Sequence, residues 1–188
     1  MEVVIMDTET KIDIISFKQA VAITCESEHL DAMANGLVQF LCADLGLRGA
    51  AFSFYNPDMK ELEMLATFGL SSSYLTKGII TVDKSLFSAN LKGNIAFCAD
   101  VSTDTNLQYP EKAKEEGIAS IISVPIMFLG EFLGVIRLYH GEPWTPSRDD
   151  LGTLSILGYC IGMAMTNNRL LNATQTISEL LDNVLPVK

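Results

Sequence analysis

Two apolar segments, Ile121–Phe128 and Glu131–Tyr139, are separated by nothing but Leu129-Gly130. A connection that short joins antiparallel neighbours only, because a parallel pair needs a crossover of a dozen or more residues. The chain must therefore contain an antiparallel sheet. Along the second strand Gly134, Ile136 and Leu138 face one way, and Leu133, Val135, Arg137 and Tyr139 the other. The glycine side would let a helix approach closely. The other side holds a permanent cation in the middle of an apolar strand. Such a charge must be paired, solvated or turned toward a ligand.

An earlier hairpin is written the same way. Ala50, Phe52 and Phe54 alternate with Ala51, Ser53 and Tyr55. Asn56-Pro57-Asp58 turns the chain, and Leu62, Met64, Ala66 and Phe68 are expected on one face of the returning strand. Asn94 to Cys98 reads as a short strand ending at Asp100.

Helical periodicity brackets these strands. Residues 13–26 carry Phe17, Ala20, Val21 and Thr24 at helical spacing. Ser27 is an N-cap candidate for an amphipathic helix over 28–45, stopped by Gly46. Short helices are expected around 85–91 and, behind Pro110, over 111–116. From Ser147 the pattern is helical to about Leu185. Antiparallel pairs with helices at both ends imply an α+β fold, one sheet with helices packed on one face. No internal repeat or linker interrupts the chain.

The last helix holds 18 uncharged residues, Leu151 to Asn168, close to the length that spans a bilayer. Its Ser, Thr and Asn content, with Gly158 and Gly162 spaced for close packing, favours a helix lying flat on a sheet. The same helix carries Ile156, Met163, Leu170, Ile177 and Val184 at intervals of seven, with Cys160, Asn167, Thr174 and Leu181 between them. That is a heptad seam with polar residues at two inner positions. Its outer half runs past the expected end of the sheet, so pairing with an N-terminal helix of the same chain or of a second copy is expected.

Composition narrows the partners. Asp and Glu outnumber Lys and Arg by 23 to 13, a net charge of −10. A surface that acidic argues against nucleic-acid backbones and anionic membranes, which bind through Lys and Arg. The four cysteines show neither metal-knuckle nor C-x-x-C spacing and are expected to be buried reduced thiols. Without a basic segment followed by an apolar one at the start, a cytoplasmic location is expected.

The block from Asn94 to Leu170 resembles a GAF domain, a small-molecule-sensing relative of the PAS fold. The resemblance is carried by Gly93-Asn94 before a strand ending in Asp100-Val101, then Gly117-Ile118-Ala119-Ser120, Ser123-Val124-Pro125-Ile126 and Gly134-Val135-Ile136. Trp144-Thr145-Pro146 and Asp149-Asp150-Leu151 open the final helix in the family's manner, and Arg48 to Phe68 fits its first hairpin. Each motif is weak alone; their order and spacing are fairly specific. The resemblance covers about 28–170, leaving 1–27 and 171–188 as helical extensions. It implies six antiparallel strands, terminal helices on one face, and a ligand pocket on the other under the irregular segment. Ala50, Phe52, Phe68, Ser85, Asp100, Tyr109 and Arg137 match its pocket positions. Arg137 could hold a carboxylate or phosphate, or form an ion pair with Asp100, or face water. Phe52 and Phe68 could equally pack the core, and Asp100 could cap its loop.

Chemical signatures are sparse. The two histidines, His29 and His140, belong to no metal or nucleophile motif. A haem member would need an axial His, for which His140 is the candidate. The Lys and Asp of cyclic-nucleotide members are replaced, the Cys-His pair of bilin members is missing, and of the clustered thiols of methionine sulfoxide reductases only Cys98 falls in the pocket segment. The expectation is therefore a non-catalytic sensor without cofactor or metal. It would bind a small molecule, with an anion as the class Arg137 suggests. It would signal through its terminal helices as a homodimer, with any effector protein acting in trans. A ligand-free dimerisation module with a side-chain-filled pocket is the alternative.

Overall fold

The computed structural model describes residues 10–27, 29–76, 78, 87–105 and 107–184. Helices α1 (Ile14–Glu26) and α2 (Leu30–Asp44) lead into the hairpin β1 (Gly49–Asn56) and β2 (Glu61–Phe68). Two single turns, α3 (Ser72–Leu75) and α4 (Phe87–Asn90), precede the edge strand β3 (Ala96–Cys98). After α5 (Pro110–Glu115) come β4 (Ser120–Phe128), β5 (Glu131–His140) and the 37-residue α6 (Arg148–Val184). The strands form one antiparallel sheet in the order β2-β1-β5-β4-β3.

The resemblance implied six strands; the described residues form five. No strand is present among the described residues between β2 and α4, and 79–86 lie outside them.

One face of the sheet is covered by helices. α2 lies on β1 and β2, α6 lies on β4, and α1 packs on both helices. The core between them gathers Leu37, Val38 and Leu41 of α2, Leu154, Leu157, Ile161 and Met165 of α6, and Phe52, Val124, Ile136 and Leu138 of the sheet. Gly158 and Gly162 permit this closeness. A Cβ on Gly158 would lie 2.3 Å from the Pro125 carbonyl oxygen, and one on Gly162 2.2 Å from that of Met127. Gly134 serves differently from expectation: its missing side chain makes room for the backbone of the neighbouring strand, 2.2 Å from the Ser53 carbonyl oxygen, rather than for a helix.

Helix starts follow capping chemistry. The Asp13 carboxylate accepts the backbone N–H groups of Ile15 and Ser16, which hold it below the ordinary carboxylate range. His29, not Ser27, occupies the N-cap of α2, without a side-chain cap. At α6, Ser147 and Asp150 form a reciprocal capping box, with N–H to oxygen distances of 3.0 Å each way. The second oxygen of Asp150 accepts from Lys11 and Ile12 at 3.0 and 2.9 Å. One buried carboxylate thus starts the last helix and anchors the segment leading into the first.

Among the described residues no helix is long and apolar enough to cross a membrane. All four cysteines are free, but the expectation of general burial is corrected: Cys42 and Cys98 are buried, Cys160 is half-buried and Cys25 is exposed.

Candidate functional site

Arg137 sits in mid-β5, opposite Ala51 of β1 and Ser123 of β4, on the face away from α2 and α6. It is only 8% exposed. Nε donates to Ser123 Oγ at 3.3 Å. Ser123 Oγ in turn donates to Asn90 Oδ1 at 2.6 Å, and Asn90 Nδ2 donates to the carbonyls of Ser123 and Asn94 at 2.8 and 3.0 Å. Both Ser123 and Asn90 are fully buried. This chain ties the guanidinium to α4 and fixes its direction. Nη2 has no hydrogen-bond partner.

Arg137 is part of the lining of a cavity of about 320 Å3. Ala51 and Ser53 leave space over β1, Tyr139 stands beside the guanidinium, and Glu61, Leu62, Met64, Leu75, Thr76 and Gly78 complete the described walls. The Tyr139 ring meets Tyr74 edge to face at 5.7 Å. Burial pushes the Tyr139 phenol up and the Arg137 charge pulls it down. Burial likewise raises Tyr74, so neither phenol ionises near neutrality.

A second polar clasp closes the far side of this face. The buried Glu116 carboxylate accepts from the Ser71 amide at 2.8 Å, from the Ser71 hydroxyl and from Arg48 Nη2 at 3.5 Å. Arg48 also donates to the carbonyls of Glu116 and Gly69 at 2.9 and 2.8 Å.

The structure disperses the residues expected to line the pocket. Ala50 and Phe52 belong to the core beneath the helices, on the opposite face from Arg137, which corrects their placement. Phe68 pairs with Ala50 and is 46% exposed at the end of β2 on that same helix side. The reason is register: Ala51 is the β1 residue paired with Arg137, so alternation turns Ala50 and Phe52 away. A bulge between Phe52 and Ser53 splits β2 likewise, with Met64 and Leu62 opposite Ser53 and Tyr55 and Ala66 opposite Phe52.

Asp100 caps its own loop: Oδ1 accepts from the Ser102 amide and hydroxyl at 2.8 and 2.6 Å, bonds that hold the carboxyl low. It forms no ion pair with Arg137. Tyr109 stands behind the cavity wall, its phenol oxygen 2.7 Å from where a Cβ of Gly78 would be. Ser85 lies outside the described residues. Sequence reasoning missed Ser53, Ser123, Asn90, Tyr74 and Tyr139. Of these, Ser53 and Tyr139 could have been found from the register, being on the parity of Arg137.

Among the described residues no cluster of His, Cys, Asp or Glu could hold a metal ion. His140 faces a Lys11 amine across 3.3 Å at Nε2 and the Glu142 amide across 2.9 Å at Nδ1, so both ring nitrogens are engaged. Burial pushes the Cys98 thiol up to about 12, far from a reactive thiolate.

The GAF domain family profile matches residues 27–166, and the chain belongs to that family. GAF domains are sensory and regulatory domains that bind small molecules. The fold is similar to that of the GAF domain from a phosphoenolpyruvate-protein phosphotransferase of Coxiella burnetii, with a TM-score of 0.73 and 17% identity over 85% of this chain and 96% of that one. It is also similar to free methionine-R-sulfoxide reductase from Neisseria meningitidis in complex with its substrate, with a TM-score of 0.71 and 16% identity over 88% and 99%. The cyanobacteriochrome TePixJ GAF domain matches with a TM-score of 0.64 and 13% identity over 78% and 95%. No curated protein matches in sequence.

Proposed function

We propose that this chain is a non-catalytic, cytoplasmic sensory domain that binds a small molecule over Arg137 and relays the event through its terminal helices as a homodimer. The observation that carries the ligand site is a permanent cation, Arg137, in the lining of a cavity of about 320 Å3 on the face of the sheet away from the helices. Burying an uncompensated charge costs several kcal/mol in real proteins, roughly, and an anion offsets that cost. A cavity of this size also counts against the alternative of a pocket packed shut by Phe and Met, since Phe52 faces the helices.

Homodimerisation is supported by the exposure of the heptad seam. Ile156, Met163, Leu170, Ile177 and Leu181 are each more than half exposed. An apolar groove of about 530 Å3, with Cys25, Phe128, Cys160 and Met163 among its lining, continues the seam toward the sheet. A parallel second copy of α6 fits the seam, because an Asn at an inner heptad position, here Asn167, selects a paired and registered coil.

The signal would be a shift between two arrangements of the chain, driven by whatever affinity difference the ligand has for them. A thermal-shift screen of small organic anions tests the site. Binding raises Tm for the wild type, and Ser53→Leu, which fills the cavity beside Arg137, removes the shift. A cavity-filled variant that responds like the wild type would place the binding elsewhere.

A further inference from the structure

We infer that Cys25 and Cys160 are a redox-sensitive pair, which a low-molecular-weight disulfide oxidises to an intrachain bond tying α1 to α6. The pair is independent of any ligand over Arg137.

The two helices start from one anchor. Asp150, in the first turn of α6, accepts the amides of Lys11 and Ile12 just ahead of α1. The helices then pack on each other. The far end of α1, with Thr24 and Cys25, meets Cys160, Met163 and Asn167 of α6 around the groove of about 530 Å3. They therefore run side by side in the same direction. Counted from the anchor, Cys25 is 13 positions past Ile12 and Cys160 is 10 past Asp150. That difference is less than one turn, about 5.4 Å. Packed helix axes lie about 8–10 Å apart, with Cα atoms about 2.3 Å off each axis. Cysteines at one level on adjoining faces are then within the roughly 4.4–6.8 Å between Cα atoms that a disulfide spans.

The other two thiols mark the contrast. Cys42 and Cys98 are buried, and burial pushes them up to about 11 and about 12. Cys25 is exposed and Cys160 half-buried, and both line the groove. Burial raises the Cys160 thiol, and a charge on Cys25 raises it further, so the two sulfurs sense each other. Exposure makes Cys25 the first to attack. Its thiolate displaces one thiolate from the reagent and forms a mixed disulfide. Cys160, its proton lost to solvent, then attacks the Cys25 sulfur and expels the second thiolate. Two protein thiols lose two electrons, and one reagent disulfide becomes two thiols. In the cytoplasmic setting proposed above such a bond is transient, as in a redox sensor rather than a structural staple. It would fix α1 to the helix proposed to carry the signal.

Oxidised glutathione is the probe. The reduced wild-type chain is incubated with it at submicromolar concentration, where copies seldom meet, then quenched in acid, unfolded, alkylated and mapped by mass spectrometry. The expected product is one Cys25–Cys160 disulfide within the chain, reversed by dithiothreitol, with Cys42 and Cys98 alkylated. Glutathione on Cys25 should stay below about a tenth of the oxidised chain, because a neighbouring thiol competes at millimolar effective concentration or above. Cys160→Ser should instead stop at the Cys25–glutathione adduct. A wild-type chain that also stops there, a disulfide that joins two chains, or a Cys25 and Cys160 that both remain alkylated overturns the inference.

Discussion

Arg137 is buried, hydrogen-bonded to Ser123 and Tyr139 but paired with no carboxylate among the described residues, and this makes its contribution to stability unusual. A structural ion pair loses stability when one partner is removed, whereas an uncompensated buried cation gains when replaced by an apolar side chain. Arg137→Met is therefore expected to stabilise the ligand-free chain by about 1 kcal/mol or more, a rise of roughly 2–4 °C in Tm by calorimetry. A fall of several degrees would show the guanidinium to be a structural part. The sequence made Arg137 conspicuous because a permanent charge amid Val, Ile and Leu has few explanations. Its supports were silent: nothing about a lone Asn90 or Ser123 indicates that the two meet through 33 positions of intervening chain. Asp150 reads as one of two acids in a first turn, yet the structure gives it four hydrogen-bond roles that Asp149 lacks. Ala50 and Phe52 show the reverse failure. Alternation sorts β1 into two faces but does not say which faces the helices. The parity of Arg137 through its partner Ala51 decides it.

The elements themselves were far more legible, because each announces its own period. β2 was read to the residue, Glu61–Phe68, and α1 began one position after the expected start. The single turn α3 escaped: it has four residues, too few to show a period, and is fixed by the Ser71 hydroxyl accepting the Tyr74 amide at 3.2 Å. The bulge in β2 also escaped, since Leu62, Met64, Ala66 and Phe68 alternate without a break and only the pairing shows Leu65 to be the extra residue. The glycines of α6 give the sharpest test at this scale. Gly162→Ala places a methyl against the Met127 carbonyl and is expected to destabilise by about 1–3 kcal/mol. Gly152→Ala, on the same helix with nothing within 4 Å, should instead stabilise by roughly 0.5–1 kcal/mol. Urea unfolding of both variants separates close packing from helix propensity; equal effects would contradict the contact.

For the molecule as a whole, acidity and the long last helix dominate. From Arg169 to Leu181 every residue of α6 is exposed, so this stretch gains nothing from the chain's own core. An isolated helix of that length is marginal in water, and in the proposed dimer a second copy would supply the missing apolar surface. Leu170→Glu is expected to convert a dimer to a monomer in sedimentation velocity at micromolar concentration, with the sheet core and Tm of the domain little changed. A wild-type chain that sediments as a monomer would remove the seam from the argument. The sixth strand shows the limit of resemblance at this scale: alternation and turn residues located the hairpins, while the family's six strands are five among the described residues.

The two glycine contacts that seat α6 on β4 have a mechanical consequence. With its inner end fixed against the Pro125 and Met127 carbonyls, the helix is a lever whose fulcrum is on the sheet. From Asn167 to Val184 it extends about 26 Å. A tilt of roughly 5° at the fulcrum displaces the far end by about 2 Å, a side-chain-scale step at a seam spaced by single helical turns. Because β4 pairs directly with β5, the strand that holds Arg137, small adjustments around the guanidinium lie one strand from that fulcrum.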